Sequence, residues 1–307
     1  MRTLITGATG LIGSALAETL TAHKFEVYRL VRSAPQPLPR DIRWDPAAGQ
    51  IRAPELEGFE AVIHLAGENL VAGRWSEAKK QRIRQSRVEG TQLLSETLAR
   101  LRRPPRVLVS ASAIGYYGDR GEEEVDESSP AGAGFLADVC RQWEAAVEPA
   151  VAAGIRVVLL RTGIVLARHG GALAKMLPIF RLGLGGALGS GRQYMSWIAL
   201  DDELEAIEYL LINDAVSGPV NLTAPQPVAN RQFARTLGRV LRRPALLPVP
   251  AAVLRLAVGP MADEALLAGA RVMPRRLLAA GYRFGDPELE PALRHLLAPR
   301  SPLADPR

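Results

Sequence analysis

The feature that most constrains this chain stands at its beginning. A short apolar run, residues 2–6, breaks at Gly7. From Leu11 to about Ala22 a helical pattern follows, with Leu11, Ile12, Ala15, Leu16, Thr19 and Leu20 on one face. Between the two lies Thr6-Gly7-Ala8-Thr9-Gly10-Leu11-Ile12-Gly13, its glycines three apart. Gly7 permits a tight turn, Gly10 lets backbone amides approach a pyrophosphate, and Gly13 lets the new helix lie close on the strand. A glycine turn alone is weak evidence, but a strand before it and a helix after it are the context the motif requires. The expectation is a dinucleotide bound across this turn.

Strand and helix patterns then alternate. Residues 25–31, 61–65, 106–110 and 156–160 read as strands, and 76–102 and 135–153 as helices. The expected fold class is α/β: a Rossmann-type doubly wound parallel sheet with a smaller, mostly helical C-terminal substrate region. Residues 1–163 form the core of that division, with about 195–222 returning to it. In 164–194, Gly170-Gly171 and the run 183–191 are too rich in glycine for regular elements, which suits a substrate or cover segment. Residues 223–300 read as a small helical domain. Within these later parts, 201–213 reads as a helix, 220–222 as a strand, 244–250 as a linker or edge strand, and 301–307 as a frayed tail.

Composition closes off other classes. Hydrophobic residues make up 48% of the chain and aromatic ones 5%, a balance suited to buried parallel strands and packed helices. No apolar run is long enough to span a bilayer and no leader pattern opens the chain, so neither membrane association nor secretion is expected. Cys140 is the single cysteine, which excludes an intramolecular disulfide and fits a cytoplasmic location. The net charge is +6, yet the basic residues are mostly arginines scattered among acids. Pairs such as Arg102-Arg103 and Arg242-Arg243 read as solvated helix ends, not as a nucleic-acid stripe. His23, His64, His169 and His295 lack metal-ligand spacing, and no metal is expected.

The end of the second strand bears on the choice of dinucleotide. An acid there would hold the adenosine ribose. The chain instead reads Tyr28-Arg29-Leu30-Val31-Arg32-Ser33. Arg32, with Ser33 and with Arg29 as a further candidate, suits a 2′-phosphate, so the expected cofactor is NADP(H).

At this point the chain resembles the extended short-chain dehydrogenase/reductases. The glycine turn, His64-Leu65-Ala66-Gly67, and Ser110-Ala111-Ser112 at a strand end carry that likeness. More narrowly, it is similar to the atypical, epimerase-like subfamily 39U. Arg43-Trp44-Asp45-Pro46, Leu65-Ala66-Gly67-Glu68-Asn69, Ser86-Arg87-Val88-Glu89-Gly90-Thr91, Trp143-Glu144, Arg161-Thr162-Gly163 and Gly189-Ser190-Gly191-Arg192-Gln193 carry the closer match. The resemblance covers nearly the whole chain. It implies that Gly7, Thr9, Gly10, Leu11 and Ile12 cradle the pyrophosphate, with Gly13 beneath, and that Arg32 meets the 2′-phosphate. It also implies that Leu65, Ala66, Gly67 and Glu68 line the cofactor groove with Ser110 at its strand end, and that Arg161, Thr162 and Gly163 lie near the nicotinamide.

One part of the superfamily's equipment is missing. Its redox members pair a Tyr with a Lys four residues on, so that one helical face carries both the proton donor and the cation that tunes it. Aligning Glu144 with the acid usual on that helix puts Leu136 and Cys140 at those positions; a one-residue shift gives Phe135 and Val139. The expected catalytic candidates are therefore Ser112, Tyr116 and Tyr117. Arg181, Arg192, Gln193 and Trp197, in and beyond the glycine-rich segment, are expected to hold a substrate, the arginines facing an anionic group and Trp197 offering a stacking face. Two functions stay open: an NADP(H)-dependent oxidoreductase or epimerase-like enzyme, and a weak or inactive NADP(H)-binding sensor. The expected partners are an unidentified small molecule, with an anionic group, and a second copy in a homodimer.

Overall fold

The computed structural model describes residues 1–32, 38–70 and 73–298. Its centre is an eight-stranded sheet. The strands are β1 (Arg2–Thr6), β2 (Glu26–Val31), β3 (Asp41–Asp45), β4 (Gln50–Ile51), β5 (Ala61–His64), β6 (Val107–Ala113), β7 (Arg156–Thr162) and β8 (Gly218–Leu222). Their order across the sheet is β8-β7-β6-β5-β1-β2-β3-β4. All neighbours are parallel except β4, which turns back against β3. The chain leaves β1 for β2 on one side and later returns to β5 on the other. The order thus reverses at β1, and in an open parallel sheet the ligand crevice opens above such a point, outside the carboxyl ends of the strands.

Alternate residues of each strand point to opposite faces, and each face has its own helices. Ile5, Ile63, Val109, Val158 and Leu160 pack with Leu16 and Leu20 of α1 (Leu11–Ala22) and with Leu204, Ile207 and Leu211 of the helix Leu200–Ile212. Leu4, Val62, Leu108, Val157 and Leu159 pack with Leu94 and Leu98 of α2 (Glu77–Ala99). Each fully buried leucine contributes about 1.5–3 kcal/mol by leaving water. Ser76 caps α2, accepting the Lys79 amide at 3.2 Å.

The region expected to be one helix over 135–153 is two, α3 (Phe135–Ala145) and α4 (Glu148–Ala152). Pro149 explains the break, because it has no N–H for the carbonyl four residues back. A helix begins where glycines argued against one: α5 (Gly171–Arg181) buries Leu173, Leu177 and Phe180. It follows a short strand, Ile164–Ala167, that pairs with Trp197–Ala199. Then come α6 (Leu200–Ile212), α7 (Asn230–Leu241), α8 (Ala251–Val258), α9 (Arg275–Ala279) and α10 (Leu289–Leu297). The stretch 244–250 has no strand of its own but bridges Leu188 through Val249. The helical reading of the C-terminal part is interrupted by Arg271–Val272, which pairs with Glu124–Val125. Among the described residues no helix is long and apolar enough to cross a membrane; residues 301–307 lie outside them.

Candidate functional site

The glycine turn closes as its spacing requires. Gly7 sits at φ +70°, and a Cβ there would come within 2.7 Å of the Leu65 carbonyl. A Cβ on Gly13 would come within 2.3 Å of the Gly7 carbonyl oxygen, so only glycine lets α1 start this close to β1 and β5. Gly10 donates to the Gly7 carbonyl at 2.9 Å and precedes α1 with no side-chain cap. The first amides of α1 are thus left open to the groove, with the positive end of the helix dipole behind them. The groove has a volume of about 440 Å³; Gly7, Thr9, Gly10, Leu65, Ala66, Gly67 and Glu68 are in its wall. Leu11, Ile12 and Gly13 follow as the first turn of α1.

A buried chain of hydrogen bonds fixes the groove floor. The Thr6 hydroxyl accepts the Leu65 and Ala66 amides at 3.2 and 3.1 Å and meets His64 Nδ1 at 2.7 Å. Having accepted twice, it donates to Nδ1, which puts the His64 proton on Nε2 facing Thr91 Oγ1 at 2.9 Å. Thr91 also accepts Trp143 Nε1 at 2.9 Å. Burial drives the His64 pKa down to about 4, so the ring is neutral. Ser110 stands beside His64 in the neighbouring strand, fully buried, and its Oγ has no partner among the described residues.

At the groove's other wall Arg32 is exposed and forms no ion pair with the described residues. Ser33 lies outside them. Arg29 is not available to a phosphate: Nε and Nη2 grip the two oxygens of Asp41, its neighbour on β3, at 2.7 and 2.8 Å. Glu68 accepts Lys79 Nζ at 2.6 Å, and that bond holds its carboxyl below the usual range.

Beyond β6 the catalytic candidates separate. Ser112 donates its hydroxyl to Glu144 Oε1 at 2.6 Å. Arg161 clamps the same carboxylate with Nε and Nη2, both at 2.8 Å, and donates Nη1 to the Tyr117 oxygen at 3.0 Å. Burial lowers the Arg161 pKa, but the bonds and charges of Glu144 and Tyr117 together outweigh it and raise the value, so the guanidinium is held firmly charged. Tyr117 donates to Asn221 Oδ1 at 2.7 Å and is fully buried, and burial pushes its pKa up to about 12. This corrects the expectation for Tyr117, whose hydroxyl is engaged on both sides inside the protein. Tyr116 differs. Its ring lies over the Arg161 guanidinium at 3.5 Å, it is only half-buried, and its hydroxyl makes no hydrogen bond to the described residues. Thr162 donates to Glu203 Oε1 at 2.9 Å, and Gly163 donates to the Leu222 carbonyl at 2.9 Å.

The glycine-rich segment also divides. Trp197 is fully buried with Nε1 on the Gln226 carbonyl at 3.1 Å, and so offers no stacking face; the expectation for it is corrected. Gln193 is buried too, and its amide is committed to the Leu188 and Leu266 carbonyls at 3.0 and 2.9 Å. It ties loops together and does not reach out to a ligand. Arg181, at the end of α5, and Arg192 are exposed, with no carboxylate partner among the described residues.

A family model described as the NAD dependent epimerase/dehydratase family matches residues 3–222. The chain belongs to that family. A second model, a domain of unknown function (DUF1731), matches residues 249–296. An epimerase family protein of Mycobacterium bovis is 46% identical over 280 residues, 91% of this chain and 92% of that protein. The human epimerase family protein SDR39U1 is 38% identical over 301 residues, 97% of this chain and all of that one, 100%. The crystal structure of its isoform 2 with NADPH is similar at a TM-score of 0.87 and 37% identity, covering 96% of this chain and 99% of that one.

Neither register considered for a Tyr-Lys pair on α3, Leu136 with Cys140 or Phe135 with Val139, supplies a phenol or an amine. Leu136 and Cys140 of α3 face Gly115, where a Cβ would lie 3.3 Å from Leu136 Cβ and 3.8 Å from Cys140 Sγ. Burial pushes the Cys140 thiol up to about 12. Several residues of the site escaped the reading of the sequence. Glu144 was used only to set the register of α3, and its role as the acceptor for both Ser112 and Arg161 depends on β6, β7 and α3 meeting. Ser86, Trp44 and Pro46 line the groove. All three belong to the quoted subfamily motifs, a signal that could have found them.

Proposed function

We propose that this chain binds NADP(H) in preference to NAD(H) and uses it on a small molecule, with Tyr116 as the proton donor. The observation that carries the cofactor choice is Arg32: an exposed guanidinium in the groove wall at the end of β2, with no ion pair to the described residues, where an acid would favour a ribose hydroxyl. The NADPH in the human relative's crystal structure supports the same reading. Gly7, Thr9, Gly10, Leu11 and Ile12 would hold the pyrophosphate, Leu65, Ala66 and Gly67 the groove floor, and Thr162 and Gly163 the far end. The cofactor, when bound, supplies or accepts a hydride. The chain must then move one proton at the reacting oxygen. Tyr116 has a hydroxyl with no hydrogen bond to the described residues, and the Arg161–Glu144 pair, with Ser112 bonded to it, fixes the ring from below.

A specific observation favours the second reading, a sensor without turnover. No lysine stands near Tyr116 on α3, and the Ser112 hydroxyl is already committed to Glu144. Calorimetric titration with NADPH and NADH tests the cofactor choice. NADPH should bind about tenfold or more tightly, and Arg32→Ala should remove the difference, as expected for one desolvated phosphate contact. Equal affinities in the unmutated chain overturn it. NADPH consumption over a panel of carbonyl compounds and nucleotide sugars separates enzyme from sensor. Tyr116→Phe should lower any activity found by about 10²–10⁴-fold; an unchanged rate would remove Tyr116 from the mechanism.

A further inference from the structure

Two long stretches of the chain, 149–200 and 215–262, contain no aspartate or glutamate. The fold lays parts of them side by side. The Leu247 amide donates to the Gly185 carbonyl at 3.3 Å, Val249 to Ala187 at 2.8 Å and Gly189 to Val249 at 2.8 Å, so that 185–189 and 247–249 form a narrow parallel ribbon. Glycine is needed for this approach, since a Cβ on Gly186 would come within 2.1 Å of the Leu247 carbonyl oxygen. α8 follows directly and buries none of its residues. Ala252, Val253, Leu256 and Ala257 are exposed together on one of its faces. Among the described residues eleven large apolar side chains are exposed, and seven of them fall within 179–184 and 246–256. Leu246 at 80%, Leu256 at 77% and Leu182 at 73% are the most open of these. Apolar surface gathered in this way marks an interaction site, whereas single scattered residues need no explanation.

Arginines frame the patch at both ends. At one end a Cβ on Gly183 would lie 3.2 Å from Pro244 Cγ, and Arg243 Nε donates to the Arg181 carbonyl at 2.9 Å, which brings Arg181, Arg242 and Arg243 together. At the other end the Arg231 amide donates to the Gly191 carbonyl at 2.9 Å, beside Arg192. All five are exposed, and none has a carboxylate within ion-pair distance among the described residues.

These features select among partners. A second copy placed on a two-fold axis would bring arginine towards arginine, and neither acid-free stretch offers a carboxylate to relieve the repulsion. An added β-strand would need N–H groups along the outer side of the ribbon, and Pro244, Pro248 and Pro250 have none to give. An anionic bilayer asks only for apolar side chains that reach past the headgroups and for cations around them. Composition gave no expectation of a membrane because no run is long enough to span one; lying on a bilayer needs no such run.

We propose that this face rests on an anionic lipid surface, with α8 and the ribbon in the interface and the five arginines on headgroup phosphates. The proposal is independent of the cofactor reading. The full chain is mixed with vesicles of phosphatidylcholine alone, and with vesicles of equal parts phosphatidylcholine and phosphatidylglycerol, and the bound fraction is read by sedimentation as lipid is raised. The chain should bind the phosphatidylglycerol vesicles about tenfold or more tightly than the neutral ones. Leu246→Ser combined with Leu256→Ser should weaken that binding by about tenfold or more, as two apolar anchors are lost. Arg242→Gln combined with Arg243→Gln should weaken it by up to about 30-fold and reduce its sensitivity to salt. Melting temperatures, measured alongside, should hold in both pairs because the side chains are exposed; if one pair does not fold, the other decides. No binding to the phosphatidylglycerol vesicles, equal binding to both compositions, or an unchanged affinity in either folded pair overturns the proposal. Self-association without vesicle binding, rising with concentration and lost in the leucine pair, also overturns it and gives the face to a second copy.

Discussion

Glu203 stands in the first turn of α6 with no exposure to solvent; it accepts the Thr162 hydroxyl at 2.9 Å, and its second oxygen has no partner among the described residues. Burial raises its pKa to about 8, against a small opposing effect of the Thr162 bond, so the folded chain keeps it protonated at neutral pH. The unfolded chain ionises the same group near the ordinary carboxyl value. Between those two values the folded state therefore binds the extra proton, and stability falls as pH rises from about 4.5 to about 8. Glu203→Gln removes the titration and keeps the shape. It should be more stable than the unmutated chain at pH 9, by up to about 4 kcal/mol, with the two converging near pH 5. Melting curves across that range test it, and parallel curves would mean that the carboxyl ionises without cost. The sequence gives no hint of this. Asp201-Asp202-Glu203 reads as an acidic helix start, and that Asp202 and Glu203 are sealed while Asp201 is exposed depends on how α6 lies against β7 and the C-terminal segment. Arg29 is a similar case: its capture by Asp41 required β3 to pair with β2.

At the scale of elements, the turn from β1 to α1 can be taken apart by single methyl groups. Alanine at Gly13 would force its Cβ to within 2.3 Å of the Gly7 carbonyl oxygen, a backbone atom that cannot swing aside. At Gly10 the nearest approach to that oxygen is 3.3 Å, and its φ of −83° suits any residue. Gly13→Ala should therefore lower stability by about 3 kcal/mol, in the range of overpacked cores, whereas Gly10→Ala should stay within about 1 kcal/mol but weaken NADPH, because its methyl enters the groove wall. Denaturant midpoints and NADPH titrations on both variants check the split; equal destabilisation would show that the turn yields as a unit. This element was legible because turn glycines, strand and helix periods all agree within residues 2–22. Elements set by long-range partners were not. The strand Ile164–Ala167 exists because Trp197–Ala199 lies beside it. α5 starts on Gly171 because Leu173, Leu177 and Phe180 find a pocket, which overrides the poor helix propensity of its first residue. The groove followed from local spacing, whereas the Ser112–Glu144–Arg161 cluster joins three elements over sequence separations that no periodicity records.

At the scale of the whole molecule, the C-terminal segment is clipped to the core through the N-terminus of α6. Asp202 Oδ1 accepts the Gly285 amide at 2.7 Å and Oδ2 the Asp286 amide at 2.9 Å, while the Asp202 carbonyl accepts the Tyr282 hydroxyl at 3.0 Å. Tyr209, two turns along the same helix, donates to the Ala280 carbonyl at 2.5 Å. Asp202 is itself buried, and losing its carboxylate would remove the acceptor of both amides, hydrogen bonds to a charged group contributing about 1.5–3 kcal/mol each. Asp202→Ala should thus destabilise the chain by about 2–4 kcal/mol. Asp202→Asn, which keeps one acceptor and presents a donor to the other amide, should fall between. The damage should be regional. Residues 275–297 would open before the sheet does, because their other ties, such as Arg276 Nη1 on the Ser217 and Pro219 carbonyls at 2.7 and 3.0 Å and Arg239 on Glu290 at 2.7 Å, lie at the surface where water competes with them. Limited proteolysis of Asp202→Ala should therefore cut first within that segment and leave a resistant fragment carrying β1 to β8. NADPH affinity should change little, since the groove is built from β1, β2 and β5 and their following turns. If cleavage instead began in the sheet, or NADPH binding were lost together with the clip, the C-terminal segment would be part of the cofactor site's own support and not a separately anchored cover.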